Sequence, residues 1–402
     1  MTIIDAHQHV WDPSRARYDW LSAGLAPINR TIGFDELRPQ LRAAGVDATV
    51  LVQSADNDDD TDLMVQTAAA NPEIVAIVAY VPLDSPAVAA ERLAELRRNR
   101  LVVGIRNLIH DIPDPDWLLR PDVDEGLGVL EDAGVTFDLV AVLPRHLEHV
   151  VTLSERHPRL KIVIDHLAKP PVGLADWEPW WTLIERAAEN PLVYAKVSGL
   201  YSATADSGTW TVASVKPFVG RALEVFGADR LMYGGDWPIS VLSGGYQRVW
   251  EGLSAIFTDL DPEDQSRILG GTAVKFYGID ASAVAAAREA SVMSGRGTGE
   301  PRLDSRESDR SVKRSRWSRS TVRASIFVLS RTTSMESSWG LRVRNAPATP
   351  LRRAGCPNSL MLDRCGSEHL SPHPARSSAS DSTTVTTQKR HTRRYLPNLL
   401  SS

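Results

Sequence analysis

Cysteine is almost absent from this chain of 402 residues, whose two cysteines, Cys356 and Cys365, both lie near the C-terminal end. Without a second Cys/His pair at zinc-ligand spacing, they predict neither a disulfide scaffold nor a zinc finger. The chain also lacks an apolar run of signal length after a basic N-terminal segment, and any run of the roughly 18 apolar residues that a membrane span needs. We therefore expect a cytoplasmic protein without membrane attachment.

Basic residues are scarce in the first part of the chain and abundant in the last. Residues 1–290 carry 25 Lys and Arg against 42 Asp and Glu, whereas residues 291–402 carry 20 against 8. The last 112 residues contain 22 Ser and 18 Arg but only four aromatic residues, too little apolar surface to offset the entropy of ordering the chain. We predict a disordered, low-complexity tail over 281–402. Its arginines are scattered, so no specific nucleic-acid partner is expected. An alternative hypothesis is that this segment is GC-rich coding sequence read out of frame.

Residues 1–280 alternate short apolar runs with amphipathic stretches. The apolar runs predict strands at 2–10, 49–53, 75–81, 102–108, 136–142, 161–166, 193–199 and 230–236. Several are near-continuous Val/Ile/Leu runs, which are typical of strands buried on both faces of a parallel sheet. Eight βα units in about 280 residues predict an α/β fold, a single (β/α)₈ TIM barrel over 1–280. A doubly wound open sheet is the alternative, but the strand count and the lack of a Gly-x-Gly-x-x-Gly turn disfavour it.

Reactive side chains stand at the ends of three predicted strands. The first strand ends with His7 and His9, the sixth with His166 and the eighth with Asp236. Residues two apart on a strand point to the same side, so His7 and His9 can present two imidazoles to one point. The catalytic residues of a TIM barrel lie at the carboxyl ends of its strands. We therefore expect all four side chains to meet at one rim.

Seven motifs follow one another along residues 1–280. They are IDAHQHVWDP (4–13), YDWL (18–21), LVQ (51–53), VGIR (103–106), DHLAKP (165–170), KVSG (196–199) and YGGDWP (233–238). This ordered series resembles the amidohydrolase superfamily, and more closely its lactonase branch of L-fucono- and L-rhamnono-lactone hydrolases and 2-pyrone-4,6-dicarboxylate hydrolase. The resemblance implies a barrel enzyme that opens a lactone, a small-molecule substrate. The oligomeric state is left open, a homo-oligomer included.

The metal content depends on where the chain departs from the wider superfamily. Many members bind two metals through a carboxylated Lys ending strand four and a His ending strand five, whereas here these runs end RNL and LVAV. We therefore expect a single divalent metal such as Zn²⁺ or Mn²⁺, held by His7, His9, His166 and Asp236. Members of the branch differ, and a mechanism without metal stays open.

Opening a lactone needs an activated water, a polarised carbonyl and a proton for the leaving oxygen. We assign Asp236 as the general base that later returns the proton. His166 is the second catalytic candidate, and it acts with His7 and His9 by holding the metal or by donating hydrogen bonds to the carbonyl.

Further residues near the strand ends are candidates for substrate binding. Arg106 can hold a carboxylate or a hydroxyl in its planar fork, or it can pair with Asp111. Gln53 can hydrogen-bond a hydroxyl or serve as a satisfied loop amide. His110 can contact substrate and act as a second acid.

Tryptophans beside the motif residues are candidates for stacking. Trp11 and Trp237 could stack on the apolar face of a sugar ring, as could Trp20, but packing of the barrel rim is the alternative.

Two other reactions remain alternatives to sugar-acid lactone hydrolysis. Related amidohydrolase-fold decarboxylases also carry His-x-His on strand one and an Asp on strand eight, so a non-oxidative decarboxylase is one. Hydrolysis of a pyrone dicarboxylate is the other.

Overall fold

The barrel predicted from the sequence is confirmed by the computed structural model, which describes residues 1–203 and 209–296. Over these residues, eight strands form one parallel sheet in chain order. The strands are β1 Ile4–Gln8, β2 Ala48–Val52, β3 Ile74–Ala79, β4 Val102–Asn107, β5 Thr136–Leu139, β6 Ile162–Ile164, β7 Val193–Val197 and β8 Leu231–Tyr233. Each overlaps a predicted run, because continuous apolar sequence suits a strand covered on both faces.

The sheet closes between the first and the last strand. The Asp236 amide donates to the His7 carbonyl at 2.8 Å, and the His9 amide donates to the Trp237 carbonyl at 2.7 Å. Both hydrogen bonds lie at the carboxyl ends of the strands. The closure therefore brings the reactive ends of β1 and β8 side by side.

Helices alternate with the strands and surround them. They are α1 Phe34–Ala44, α2 Asp58–Ala70, α3 Pro86–Leu96, α4 Pro121–Ala133, α5 Pro144–Arg156, α6 Trp180–Ala188, α7 Val212–Phe226, α8 Tyr246–Phe257, α9 Pro262–Ser266, α10 Thr272–Tyr277 and α11 Ala281–Arg296. Prolines open α3, α4 and α5, at the helix position where a missing N–H costs nothing. No helix in the described ranges is long and apolar enough to cross a membrane.

The last two helices cover the opposite end of the barrel. Residues of α10 and α11 share an apolar cluster with alternate strand residues such as Val50 and Val52, and Arg288 pairs with Asp47, just before β2, at 3.3 Å. The disorder predicted from residue 281 is wrong for residues 281–296, which form helix α11 because Val284 and Ala287 are buried in this cluster. The predicted disorder of the tail beyond residue 296 concerns residues outside those described.

The buried face of α11 gives a stability prediction. Val284 is 8% exposed, whereas Val88 on α3 is 56% exposed. We expect Val284→Asp to lower the free energy of unfolding by about 3 kcal/mol, because it places a carboxylate among apolar side chains. Urea denaturation of the full chain measures this, with Val88→Asp as the matched control expected within about 0.5 kcal/mol of wild type. Equal effects of the two substitutions would show that α11 does not pack on the barrel.

Candidate active site

Strained backbone carries two of the predicted residues into the barrel mouth. After β6, the four residues His166, Leu167, Ala168 and Lys169 all have φ between 49° and 58°, and Asp236 after β8 has φ 52°. A non-glycine residue in this left-handed region costs roughly 1–2 kcal/mol. The surrounding packing must impose such a conformation, and strain of this kind clusters at functional sites.

Three of the predicted metal ligands converge in the mouth. The Nε2 atoms of His7 and His9 lie 3.1 Å apart, and Asp236 Oδ1 lies 3.8 Å from the first and 3.6 Å from the second. Tetrahedral zinc with bonds of 2.0–2.2 Å keeps its ligand atoms about 3.4 Å apart. All three side chains are buried. The spacing and the chemistry of this donor set therefore fit one divalent metal ion.

The outer nitrogens of the two histidines have different partners. Nδ1 of His9 lies 2.8 Å from the Val52 carbonyl oxygen. A carbonyl only accepts, so this nitrogen carries a proton, and in the neutral ring Nε2 of His9 then has the lone pair. Nδ1 of His7 instead lies 3.1 Å from the Lys196 ammonium and 3.3 Å from an Asp165 carboxylate oxygen.

Asp236 is ionised and has an unused oxygen. Burial opposes its ionisation, but the nearby positive charge of Lys169 favours it, and the pKa of Asp236 lies below its ordinary value. Its Oδ2 atom is buried without a hydrogen-bond partner among the described residues. A buried carboxylate oxygen of this kind is expected to meet a ligand or a water.

His166 lies beside this three-residue set. Its ring centroid is 4.5 Å from that of His7, and its Nδ1 lies 2.9 Å from the Ser198 hydroxyl. Burial lowers the pKa of His166 well below its ordinary value, so the ring is neutral. Its ligand atoms group with those of His7 and Asp165 rather than with His9 and Asp236.

A buried ionic network lies beneath the histidines, and the sequence reasoning assigned it no role. The Lys196 ammonium on β7 contacts Asp138 of β5 at 2.6 Å and Asp165 at 3.0 Å, and the Tyr277 hydroxyl of α10 donates to Asp138 at 2.7 Å. The sequence does indicate such a network, because Asp138 and Lys196 interrupt apolar strands. A fully buried charge is almost always paired, so each residue calls for a buried partner of opposite charge.

Asp5 is a second buried acid that the sequence reasoning did not single out. Its carboxylate accepts from the Gly235 amide and the Tyr246 hydroxyl, both at 2.9 Å. Burial raises its pKa to about 6. These contacts tie β1 to α8 and to the turn that carries Asp236.

Arg106 and Gln53 lie at the site, but most of their polar atoms already contact other residues of the protein. Arg106 Nε lies 3.0 Å from Asp165 Oδ2, and its Nη1 donates to the Gln53 carbonyl at 3.0 Å. The alternative pairing of Arg106 with Asp111 is not observed. The side-chain amide nitrogen of Gln53 donates to the Asp56 carboxylate and to the Arg106 carbonyl, both at 3.0 Å. The side-chain oxygen Oε1 has no partner among the described residues.

Two of the three tryptophans predicted as stacking candidates, Trp11 and Trp237, are buried. Trp11 is 1% exposed, and its indole N–H donates to the carbonyls of Ile28 and Arg30. Its ring packs edge to face against that of Trp20, with the two ring centroids 5.1 Å apart. Trp237 is 2% exposed and belongs to the main apolar core. Both side chains therefore pack in the rim of the barrel, which was the alternative to stacking on a substrate.

His110 is the accessible member of the predicted set. It follows β4 in the short helix Ile109–Asp111, and its side chain is 30% exposed. Desolvation and the nearby positive charge of Arg106 lower the pKa of His110 to about 3. The ring is therefore neutral at neutral pH, which disfavours the predicted role of second acid in the imidazolium form.

This lowered pKa predicts a pH dependence of stability. Histidine in the unfolded chain has a pKa near 6.5, so the unfolded chain binds a proton between pH 7 and pH 4 that folded His110 does not. The contribution of His110 to stability is thus present above pH 6.5 and lost as the pH falls. We expect His110→Gln to lose less free energy of unfolding than wild type over this interval, as measured by urea denaturation at both pH values. Identical losses would show that His110 titrates normally.

Comparison with known proteins assigns the chain to a family. The amidohydrolase family model matches residues 4–279. The L-fucono-1,5-lactonase of Burkholderia ambifaria is 35% identical over 281 residues, which are 69% of this chain and 96% of that protein. The L-fucono-1,5-lactonase of Burkholderia multivorans is 31% identical over 291 residues, which again are 69% of this chain and 96% of that protein.

A solved structure with bound metal shows the same architecture. It is an amidohydrolase from Burkholderia multivorans with bound zinc, which matches with a TM-score of 0.65 and 29% identity over 70% of this chain and 100% of that one. The chain therefore belongs to the amidohydrolase family and is a hydrolase. The resemblance inferred from the motifs is confirmed.

Proposed function

We propose that this enzyme opens the ring of a sugar-acid lactone of the L-fucono- or L-rhamnono-lactone type. The observation that carries the proposal is the convergence of His7, His9 and Asp236 at the barrel mouth, in a chain whose curated relatives include two L-fucono-1,5-lactonases.

The chain's own groups supply the proton transfers. The Asp236 carboxylate, ionised at neutral pH, takes a proton from a water molecule as the water oxygen attacks the lactone carbonyl carbon. When the tetrahedral intermediate collapses, the bond between the carbonyl carbon and the ring oxygen breaks, and Asp236 passes the proton to that oxygen. The product is an open-chain hydroxy acid.

The donor set of His7, His9 and Asp236 fits one divalent cation, and we propose that these residues hold it, with His166 beside them. The zinc found in the relative from Burkholderia multivorans supports this proposal. Such a cation supplies Lewis acidity that polarises the lactone carbonyl and acidifies water. β4 ends in Asn107 and β5 in Leu139, which leaves those ends without the Lys and His of a two-metal site.

A substrate screen tests the proposed reaction. We expect release of acid from L-fucono-1,5-lactone or L-rhamnono-lactone, recorded with a pH indicator against spontaneous hydrolysis. Release of carbon dioxide from an aromatic acid, with no acid from any sugar lactone, would indicate a decarboxylase instead. Acid release from the pyrone dicarboxylate alone would assign the enzyme to that substrate.

Metal removal forms a separate prediction. After dialysis against a picolinate-type chelator, we expect lactone hydrolysis to fall at least about 100-fold, because the carbonyl loses its Lewis acid. Zn²⁺ or Mn²⁺ should restore the rate, with metal content measured in parallel. Full activity at less than about 0.01 metal per chain, the metal content that corresponds to a 100-fold loss, would support the metal-free mechanism.

A further inference from the structure

The Lys196 ammonium has three acceptors within hydrogen-bond distance, and one of them is a nitrogen. Its Nζ atom lies 2.6 Å from Asp138 Oδ2, 3.0 Å from Asp165 Oδ1 and 3.1 Å from His7 Nδ1. All four side chains have no exposed surface. An ammonium carries three N–H donors and no lone pair. Lys196 can therefore donate to His7 only if Nδ1 of His7 is without a proton.

If Lys196 donates to His7 in this contact, the contact decides which ring nitrogen of His7 carries the proton. A neutral imidazole has one N–H, so an accepting Nδ1 places the proton on Nε2. Nε2 of His7 faces Nε2 of His9 at 3.1 Å, and that second nitrogen has a lone pair because His9 donates through Nδ1 to Val52. In this arrangement His7 donates to His9, and the two imidazoles satisfy each other.

A bound metal requires the opposite arrangement at His7. Both Nε2 atoms must then offer lone pairs, so the proton of His7 must reside on Nδ1. Asp165 Oδ1 is the acceptor at hand for it, at 3.3 Å. The contact from Nδ1 to Asp165 is longer than the contact to Lys196. Asp165 Oδ1 lies 3.0 Å from Lys196 Nζ, but among the described residues it has no partner that meets the angular criteria of a hydrogen bond.

We propose that Lys196 is a positioning residue that selects the Nε2–H tautomer of His7, and that Asp165 accepts from the Nδ1–H tautomer when a metal ion binds. The exchange leaves the net proton count unchanged, since His7 loses a proton at Nε2 and gains one at Nδ1. Lys196 keeps its charge and its contacts with the two carboxylates. Metal binding thus costs this enzyme the hydrogen bond from Lys196 to His7. The part of the inference that concerns metal rests on the proposed function, whereas the tautomer of the metal-free protein does not.

Nitrogen-15 NMR of the histidine side chains in the full, metal-free chain tests the tautomer directly. The His7 signals are identified by their loss in His7→Gln. We expect wild type to show a protonated Nε2 and an unprotonated Nδ1. In Lys196→Met we expect the proton on Nδ1, because Asp165 becomes the remaining partner there. A wild-type protein with the proton on Nδ1 would overturn the proposal even if no variant folds.

Two further variants separate tautomer from charge. Arg106→Met removes a positive charge from the same carboxylate of Asp165 without a contact to His7, so His7 should keep its proton on Nε2. If Lys196→Met fails to fold because Asp138 loses its charged partner, the double variant Lys196→Met with Asp138→Asn removes both members of this pair. It should place the proton on Nδ1, and a proton that stays on Nε2 in this variant would overturn the proposal.

Zinc affinity gives the second measurement. Both Lys196→Met and Arg106→Met remove a nearby positive charge, but only the first removes the hydrogen bond that competes with metal binding. We expect Lys196→Met to bind zinc about tenfold more tightly than Arg106→Met in a competition titration with a chromophoric chelator. Equal affinities, with the tautomer shift observed, would refute the coupling to metal while leaving the tautomer assignment intact. Absence of zinc binding to wild type and to both variants would instead refute the proposed metal site.

Discussion

Asp236→Asn is expected to lower kcat/KM for lactone hydrolysis roughly 10³-fold, because the substitution removes the proposed general base while keeping the size of the side chain. The amide can neither take a proton from water nor return one to the ring oxygen. Asn at this position also removes the negative charge that faces His7 and His9 at 3.8 and 3.6 Å. Initial rates with the best lactone of the substrate screen measure the effect.

A matched control separates this loss from a general effect of the substitution. Asp84 is exposed and follows β3 at the same end of the barrel, so Asp84→Asn should keep kcat/KM within about twofold of wild type. The thermal unfolding of Asp236→Asn reports whether the fold is retained. A folded Asp236→Asn enzyme with more than roughly a tenth of wild-type activity would exclude Asp236 as the base.

Gly199→Ala should lower kcat/KM at least about 100-fold, because a methyl group at this position meets two site residues. An added Cβ would lie 2.5 Å from His166 Nδ1 and 2.8 Å from Asp236 Oδ2. Both atoms belong to buried side chains that cannot move outward to solvent. The left-handed φ of +59° at Gly199 adds a backbone cost of roughly 1–2 kcal/mol.

Gly45→Ala reproduces the backbone cost without the clash. Gly45 ends α1 with φ +70°, and an added Cβ would meet no heavy atom within 4 Å. We expect this variant to lose similar stability and to keep its activity, as measured by urea denaturation and initial rates. Equal activity of the two alanine variants would show that the contact of Gly199 with His166 and Asp236 does not matter for the reaction.

The sequence was sufficient for the barrel and for much of its site. Near-continuous apolar runs predict buried parallel strands because both faces of such a strand are covered, and this pattern is local. The chemistry of a barrel lies at the carboxyl ends of its strands. This rule placed His7, His9 and Asp236 together, although β1 and β8 lie at opposite ends of the barrel sequence.

Other features depend on contacts between residues far apart in the chain. The sequence did not reveal the ion pair between Lys196 and Asp138, because a charged residue inside an apolar run indicates that it needs a partner but not which residue the partner is. The partners come from β5, the segment after β6 and α10. Trp11 was a stacking candidate by its place in a motif, but the carbonyls that bind its indole N–H belong to residues 28 and 30.

The amino-acid sequence alone thus determined the alternation of strands and helices, the rim that carries the chemistry and the family. Only the tertiary structure decided which nitrogen of each histidine faces the mouth, and which charges are already paired beneath it. Strand periodicity is a property of neighbouring residues. Hydrogen-bond partners are chosen by the closure of the sheet, which joins β1 to β8 and places the Lys196 ammonium against His7.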